Sequence, residues 1–416
     1  MALSRTEAAS LLVLAASVVF GMACGAGDDS LEERWAQLGV PEPETVFLGD
    51  FTEEEKSAIA REVKSVQVSF AERFGVVTSE FTLYISTNFE ALHEAYREWL
   101  DPEYRRRGVE LPSWLGCNGL AWKAAIFISL ETCDKDGRAH GGPIAHEYFH
   151  ILQDHVGLVA GTDNVWPAWL IEGSAVYASA HYAEEQGRRS LAWRREASRL
   201  VWSGLGRPLP GPYDAAGSSM FTDLAYQNLV YEVGFLGVEW LVERRGEEAL
   251  MEFFRLGGGR QEFREAFDMT PDEFVEAFEE HRGKVAPPFK WQIAGVVRDP
   301  DGRPVPQVDL YVITGVEGEN ILVPGGRTNG AGEFRARSPE ERHTLGVILR
   351  CPRGSSTFWA FAGEWGEKGF VADEDGRYES DEHLAEPTTG MHRRDIVIEL
   401  QASRAVLLER FCQKRE

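Results

Sequence analysis

The sequence predicts an α+β fold class with an all-β unit after it, and three observations carry that expectation. Strand-like and helical stretches alternate over the first third of the chain. From Gly141 to His281 nearly every stretch has helical periodicity. After "KVAPPFK" the pattern changes to short strands punctuated by glycine turns. At 416 residues, 43% hydrophobic and 26% charged, the chain has enough apolar material for two or three domains with cores of their own.

The opening residues, "MALSRTEAASLLVLAASVVFGMACGAGDDS", have Arg5 near the start, an apolar run from Leu11 to Phe20 and small residues after it. The run falls short of the ~20 apolar residues of a membrane-spanning helix and suits an export signal over residues 1–24. Cys24 in "GMAC" resembles the lipid-modified cysteine of a bacterial lipobox, although Gly21 stands where that box carries a branched residue. Lipidation at Cys24 and simple cleavage nearby therefore both remain open, and an extracytoplasmic location, secreted or surface-anchored, is expected either way. Residues 25–44 read as a flexible tether.

Residues 45–285 form the predicted α+β part. "TEEEKSAIAREVKSVQVSFAERFG" is a helix opened by a capping box, Thr52 with Glu55, and stopped by Gly75. "FTLYIS" alternates as a strand does, "FEALHEAYREWL" returns to helix, and "AAIFISL" (Ala124 to Leu130) is a second strand. "TPDEFVEAFEEH" closes the helical run, with Thr270 as cap, Pro271 at the first helical position and Glu273 three residues past the cap. Pro287 and Pro288 then end helix formation. Residues 289–400 read as an all-β sandwich with a turn at Asp301-Gly302, and 401–416 as a tail.

Charge and cysteines narrow the function. A net charge of −24 excludes the basic footprint of a nucleic-acid binder. It also disfavours a polyanionic substrate unless a local basic cleft overrides it. Without Cys24, the remaining Cys117, Cys133, Cys351 and Cys412 are an even set for an oxidising compartment. Their positions suggest Cys117–Cys133 and Cys351–Cys412 bridges, with four buried thiols as the alternative.

The chemistry concentrates in "AHEYFHILQ". His146 and His150, four apart on a helix, share a face and can reach one metal ion, with Glu147 one residue round from His146. A catalytic zinc needs a third protein ligand and an open fourth position. Glu172 in "PAWLIEGSAVYASA" follows His150 by 22 residues (172 − 150), after the loop "GLVAGTDNVWP", on a helix expected to pack against the first.

"HEYFH" followed by "WLIEGSAVY" resembles the gluzincin zinc metallopeptidases, in particular the aminopeptidase-like group. The resemblance implies a zincin-like catalytic domain with His146, His150 and Glu172 as zinc ligands and Glu147 as general base. Trp169, Gly173, Ala175 and Tyr177 match the motif as packing residues. "YEVGFLGVEWLVERRG" resembles the element that carries a tyrosine facing the scissile carbonyl, which implies Tyr231 for that role, with Tyr226 as the rival. The implied reaction is peptide hydrolysis of a peptide or protein substrate by a zinc-activated water. The strand Ala124 to Leu130 is the expected edge for an extended substrate.

Two departures leave the cleavage mode open. "GCNGLAWKAAIFIS" has no glutamate, before Glu131, of the kind that aminopeptidases of the group use to bind a free amine. Val176 stands where the thermolysin-like branch keeps an aspartate.

Elsewhere the expectations are plainer. "GVVRDPDGRPVPQVDLYV" and "TNGAGEFRAR" resemble the carboxypeptidase regulatory-like module, which implies an accessory role. Arg194 and Arg195 read as a solvated helix face, "ADEDGRYESDE" as a solvated loop, and the aromatic-rich stretch from Cys351 to Asp395 as core. His140 and His155 flank the motif without a ligand role. The alternatives to a peptidase are a non-catalytic binding lipoprotein on the same scaffold and a zinc hydrolase acting on a non-peptide or cell-wall substrate.

Overall fold

A computed structural model describes residues 26–100, 119–130, 141–157, 167–205, 228–286, 291–316, 319–338, 344–350, 358–366, 369–372 and 392–399. The export signal, Cys24, the other four cysteines, Tyr226, the acidic loop beyond Ala372 and the C-terminal tail lie outside the described residues, as do the side chains of the aromatic-rich strands. No helix among the described residues is long and apolar enough to cross a membrane.

The expected tether is replaced in its first part by a helix. Helix α1 (Ala26–Leu38) docks on α2 (Glu53–Phe74): Lys64 bonds Glu32 at 2.9 Å and lies over the Trp35 ring, and Arg34 pairs with Glu72. Its polar composition reads as linker in isolation. The complementary charges that hold it sit on α2, remote in sequence. Strand β1 (Glu44–Leu48) follows. Helix α2 starts and stops where its caps predict, with the Thr52–Glu55 box formed and Gly75 left-handed at φ 65°.

A four-stranded sheet organises this part in the order β1-β2-β4-β3, from β2 (Thr82–Ser86), β3 (Gly119–Trp122) and β4 (Ala125–Ser129). β1, β2 and β4 are parallel and β3 is antiparallel to β4. Side-chain alternation divides the sheet's two faces. Leu83, Ile85, Ile126 and Ile128 join Phe70, Phe74, Tyr148 and Phe149 in the main core. Tyr84, Ala125 and Phe127 pack instead with Leu92 and Tyr96 of α3 (Phe89–Trp99).

The sheet order corrects one expectation. β4 is internal, flanked by β2 and β3, so the strand from Ala124 to Leu130 offers no edge; among the described residues β3 lies outermost on that side. A two-residue turn at Lys123, with φ 54°, folds β3 back along β4. That pairing joins segments the periodicity alone does not link.

The helical part comprises α4 (Gly141–Val156), α5 (Ala168–Glu185), α6 (Leu191–Leu205), a π-helical turn at Leu229–Val233, α7 (Gly234–Arg255), α8 (Arg260–Phe267) and α9 (Pro271–Val285). Its core is aromatic: Trp169 stacks on Phe274 at 4.9 Å and Trp202 on Phe278 at 4.4 Å.

The all-β unit contains β5 (Trp291–Arg298), β6 (Asp309–Val316), β7 (Glu319–Arg327), β8 (Glu333–Ser338), β9 (Thr344–Arg350), β10 (Phe358–Gly366), β11 (Gly369–Ala372) and β12 (His392–Glu399). They pair in the order β7-β6-β9-β10-β11-β12-β5-β8. β10 makes the join: residues 358–362 pair with β9 and 363–366 with β11.

Helix α6 belongs to both parts. Trp193, Ala197, Leu200 and Val201 cluster with Leu310, Val312, Ile321 and Val323 of the β unit. Its other side turns Ser198 and Trp202 toward the helical part.

Candidate metal centre and cleft

Helix α4 buries Ala145, Tyr148, Phe149 and Leu152, and that fixes which way the remaining side leans. His146 and His150 share the opposite side, and α5 brings Glu172 against them. The three donor atoms make a nearly equilateral triangle: His146 Nε2 to His150 Nε2 is 3.2 Å, His146 Nε2 to Glu172 Oε2 is 3.2 Å, and His150 Nε2 to the same oxygen is 3.3 Å. Tetrahedral zinc with bonds of ~2.0–2.1 Å sets its ligand atoms about 3.3 Å apart, so the donor set and its spacing fit that ion. The three side chains retain 16–17% exposure, enough to leave the cluster open on one side.

Electrostatics agree with a cation-seeking site. Burial pulls the His150 imidazole down, but the charge and hydrogen bond of Glu172 outweigh it and raise its pKa to about 9. Burial likewise opposes ionisation of Glu172, yet His150 and His146 hold its carboxyl far below the usual carboxylate range. Converging lone pairs on two imidazoles and a carboxylate are stable only around a positive charge, whether proton or metal.

Gln153 supports the cluster in a way the sequence reading did not identify. Its amide donates to the Ile171 carbonyl at 3.0 Å and to Ser174 Oγ at 2.7 Å, which turns its carbonyl oxygen to His150 Nδ1 at 2.8 Å. Nδ1 must then carry the ring proton, and Nε2 is left as a lone-pair donor facing the cluster. The signal was in the spacing, since Gln153 lies three residues past His150 on the same helix face.

Glu147 packs under β3, where Gly119 makes room: a Cβ at Gly119 would lie 2.4 Å from Glu147 Cγ and 2.6 Å from Ile128 Cδ1. Burial raises the Glu147 carboxyl above its ordinary value and Glu172 adds to the rise. His146, His150 and the backbone amide of Ala121 oppose it.

Tyr231 sits on the π-helical turn, its ring 5.8 Å from that of His146. Burial, with Glu172 and Glu147 close by, pushes its pKa well above the usual value, so it remains a donor. The wide turn, a feature common at functional sites, is what aims this side chain.

The motif's packing residues take the expected places. Trp169, Gly173, Ala175 and Tyr177 are buried, and Gly173 meets Gly234 backbone to backbone. Tyr177 donates to Glu247 at 2.8 Å, and Arg73 joins both. His155 accepts from the Ser79 amide at 3.2 Å, which is a structural role.

A cleft of about 690 Å³ runs from this centre toward α6. Gly119, His146, Glu147 and Tyr231 line one end; Arg189, Ser190, Trp193, Arg194 and Glu232 line the other. The expectation for Arg194 and Arg195 is corrected here. Arg194 pairs with Glu232 at 3.0 Å on the cleft wall, and Arg195 bonds the buried Glu239 at 2.7 Å. The apolar side of their helix takes the β unit, and the side carrying Arg194 and Ser198 meets Glu232 of the π-helical turn. A larger hollow of about 1250 Å³ lies against β5 and β8, away from these residues.

No protein-family model and no curated protein matches the chain. Solved structures similar to it include an M1 zinc metallopeptidase from Deinococcus radiodurans, at 16% identity over 58% of this chain and 50% of that one, with a TM-score of 0.33. Another is Legionella pneumophila aminopeptidase A in complex with aspartic acid, at 12% identity over 73% and 35%, TM-score 0.35. A third is the dioxygenase domain of a carbohydrate-binding fusion from Streptomyces sp. SirexAA-E, at 13% identity over 29% and 84%, TM-score 0.18. The chain spans half or less of the length of the first two. At these scores likeness assigns no activity, and the functional reading rests on the side chains.

Proposed function

We propose that this chain is a zinc-dependent metallopeptidase, with His146, His150 and Glu172 as ligands, Glu147 as general base and Tyr231 as donor to the developing oxyanion. The observation that carries the proposal is the donor triangle of 3.2–3.3 Å with Glu147 beside it at the end of a cleft. When bound there, zinc supplies a Lewis acid and lowers the pKa of a coordinated water to about 7.

The chain's own residues do the rest. Gln153 holds the His150 tautomer, and Glu147 accepts a proton from the attacking water and passes it to the leaving amine. Tyr231 offers its hydroxyl hydrogen where negative charge grows on the carbonyl oxygen. An extended substrate adds to β3, which lies outermost and flanks Glu147. Export through residues 1–24, with or without an anchor at Cys24, belongs to the same proposal.

The test is digestion of a diverse peptide mixture by the full-length mature protein, read by mass spectrometry beside Glu147→Gln. Cleavage by the wild type that disappears in a variant still holding zinc supports the mechanism. Full activity in Glu147→Gln refutes it.

A further inference from the structure

The π-helical turn that carries Tyr231 is held from two sides. Resting on the peptidase reading, we infer that Glu232 is a positioning residue: its carboxylate, gripped by Arg194 and Ser198 of α6, fixes the turn so that Tyr231 faces the metal centre.

The first hold is Gly234, directly after the turn. A Cβ there would lie 2.4 Å from the Trp169 carbonyl oxygen and 3.3 Å from Gly173 Cα, so the chain meets α5 backbone to backbone. That contact sets how near the turn comes to α5 and leaves its other flank to be fixed by side chains.

Glu232 is the second hold. Its Oε2 accepts from Arg194 Nη2 at 3.0 Å and from Ser198 Oγ at 2.8 Å. Arg194 and Ser198 are four apart on α6 and share a face, so both reach the same oxygen. Ser198 is fully buried, and the Arg194 guanidinium lies 5.5 Å from the Phe235 ring centroid. Consecutive side chains on a helical turn leave it roughly a quarter turn apart. Clamping the carboxylate to α6 therefore sets the direction of the neighbouring Tyr231, whose ring stands 5.8 Å from that of His146.

The hold reaches into the β unit. The apolar side of α6 clusters with Leu310, Val312, Ile321 and Val323, and Trp193 donates its indole N–H to the Val316 carbonyl at 3.1 Å. One helix and one carboxylate thus connect the all-β unit to Tyr231. Charge suits the task. The Arg194 and Glu232 side chains are about one-fifth exposed, where desolvation offsets much of the attraction of an ion pair, while its hydrogen bonds still weaken steeply off axis. A second pair provides the comparison: Arg195 bonds Glu239 at 2.7 Å, joining α6 to α7 beyond the turn.

The test is peptide hydrolysis by the full-length mature, zinc-loaded protein, with kcat and KM measured for each variant alone and combined with Tyr231→Phe. Glu232→Met keeps the length and loses the acceptor. Its kcat should fall about 10- to 100-fold, the scale of a 1 Å misplacement, with KM within about twofold. Glu232→Gln retains an acceptor oxygen and should recover most of the rate, and Ser198→Ala, which removes one bond and no charge, should fall between. In the Tyr231→Phe background Glu232→Met should cost less than about threefold more, because the two residues act as a unit. Glu239→Met should leave kcat within about twofold.

An equal fall in the Tyr231→Phe background, or a raised KM with unchanged kcat, overturns the proposal, since Glu232 then acts alone or contacts substrate. An equal fall in Glu239→Met overturns it as well. Should Glu232→Met not fold, Ser198→Ala decides by the same comparison. Wild-type kcat in Tyr231→Phe removes both the role of Tyr231 and this proposal. A wild type that cleaves no peptide overturns the peptidase reading, and a second readout then decides the hold on the turn. With a fluorinated tyrosine in place of Tyr231, the fluorine resonance should shift in Glu232→Met and stay in Glu232→Gln and Glu239→Met. An unshifted resonance in Glu232→Met refutes the positioning role.

Discussion

Replacing Gly173 with alanine should separate the helices that carry Glu172 and Tyr231. A Cβ at Gly173 would lie 2.4, 2.6 and 2.8 Å from the carbonyl carbon, oxygen and Cα of Gly234, all backbone atoms with no rotamer to change. Ordinary contact begins near 3.4 Å, so α5 must retreat from α7 by about 1 Å. Overpacking of this kind costs about 1–3 kcal/mol, which for a unit of this size lowers Tm by roughly 2–12 °C. The residue before Gly173 is Glu172, and ligand distances tolerate only about 0.2 Å, so zinc affinity should also fall, by about 10- to 100-fold. Thermal unfolding of the metal-free protein reads the first effect and competition with a chelator reads the second. Gly283→Ala in α9 is the control, because among the described residues no atom beyond its chain neighbours and its own helix backbone lies within 4 Å of its Cβ. There the same exchange should stabilise by about 0.5–1 kcal/mol. A Gly173→Ala protein with wild-type Tm and zinc affinity would show that the close crossing does not set the site.

Other substitutions separate the parts of the centre. Gly119→Ala places a methyl where Glu147 Cγ now packs, and should lower kcat by displacing the carboxylate while zinc affinity, measured by chelator competition, stays near wild type. Gln153→Met removes the acceptor on His150 Nδ1 and should weaken zinc binding by about 10- to 100-fold in the same assay; unchanged affinity would deny Gln153 its tautomer-fixing role. His181 tests a pH effect remote from the metal ligands. Burial, then Arg73 and Arg195, lower its pKa to about 3, so the folded state binds fewer protons there than the unfolded one. The stability it contributes is complete above about pH 6.5 and is lost as pH falls toward 3, so wild type should lose more stability to urea between pH 7 and pH 5 than His181→Gln. Equal losses would contradict that sign.

Much of the candidate site's grouping is local and therefore readable. His146 and His150 share a helix face by spacing, and the Thr52–Glu55 and Thr270–Glu273 boxes form where they were expected. Gln153 was readable in principle by the same i,i+3 rule. The π turn under Tyr231 was not, because widening a helix by one residue leaves no mark in hydrophobic periodicity. Helix α1 was misread because its polar residues acquire partners only on α2. Arg194 was misread because exposure on a lone helix says nothing of what packs beside it.

The sequence by itself determined several of the helices and strands, the two capping boxes, the shared face of His146 and His150, and a candidate third ligand in Glu172. Each follows from backbone periodicity or from groups a few residues apart, where the chain has few ways to place them. Only the tertiary structure decided that β3, not β4, is outermost, that Gly173 and Gly234 set the crossing beside Glu172, and that α6 presents Arg189 and Arg194 to the cleft. Those outcomes depend on strand order and on contacts between segments far apart in sequence, and no local pattern encodes which distant surface arrives.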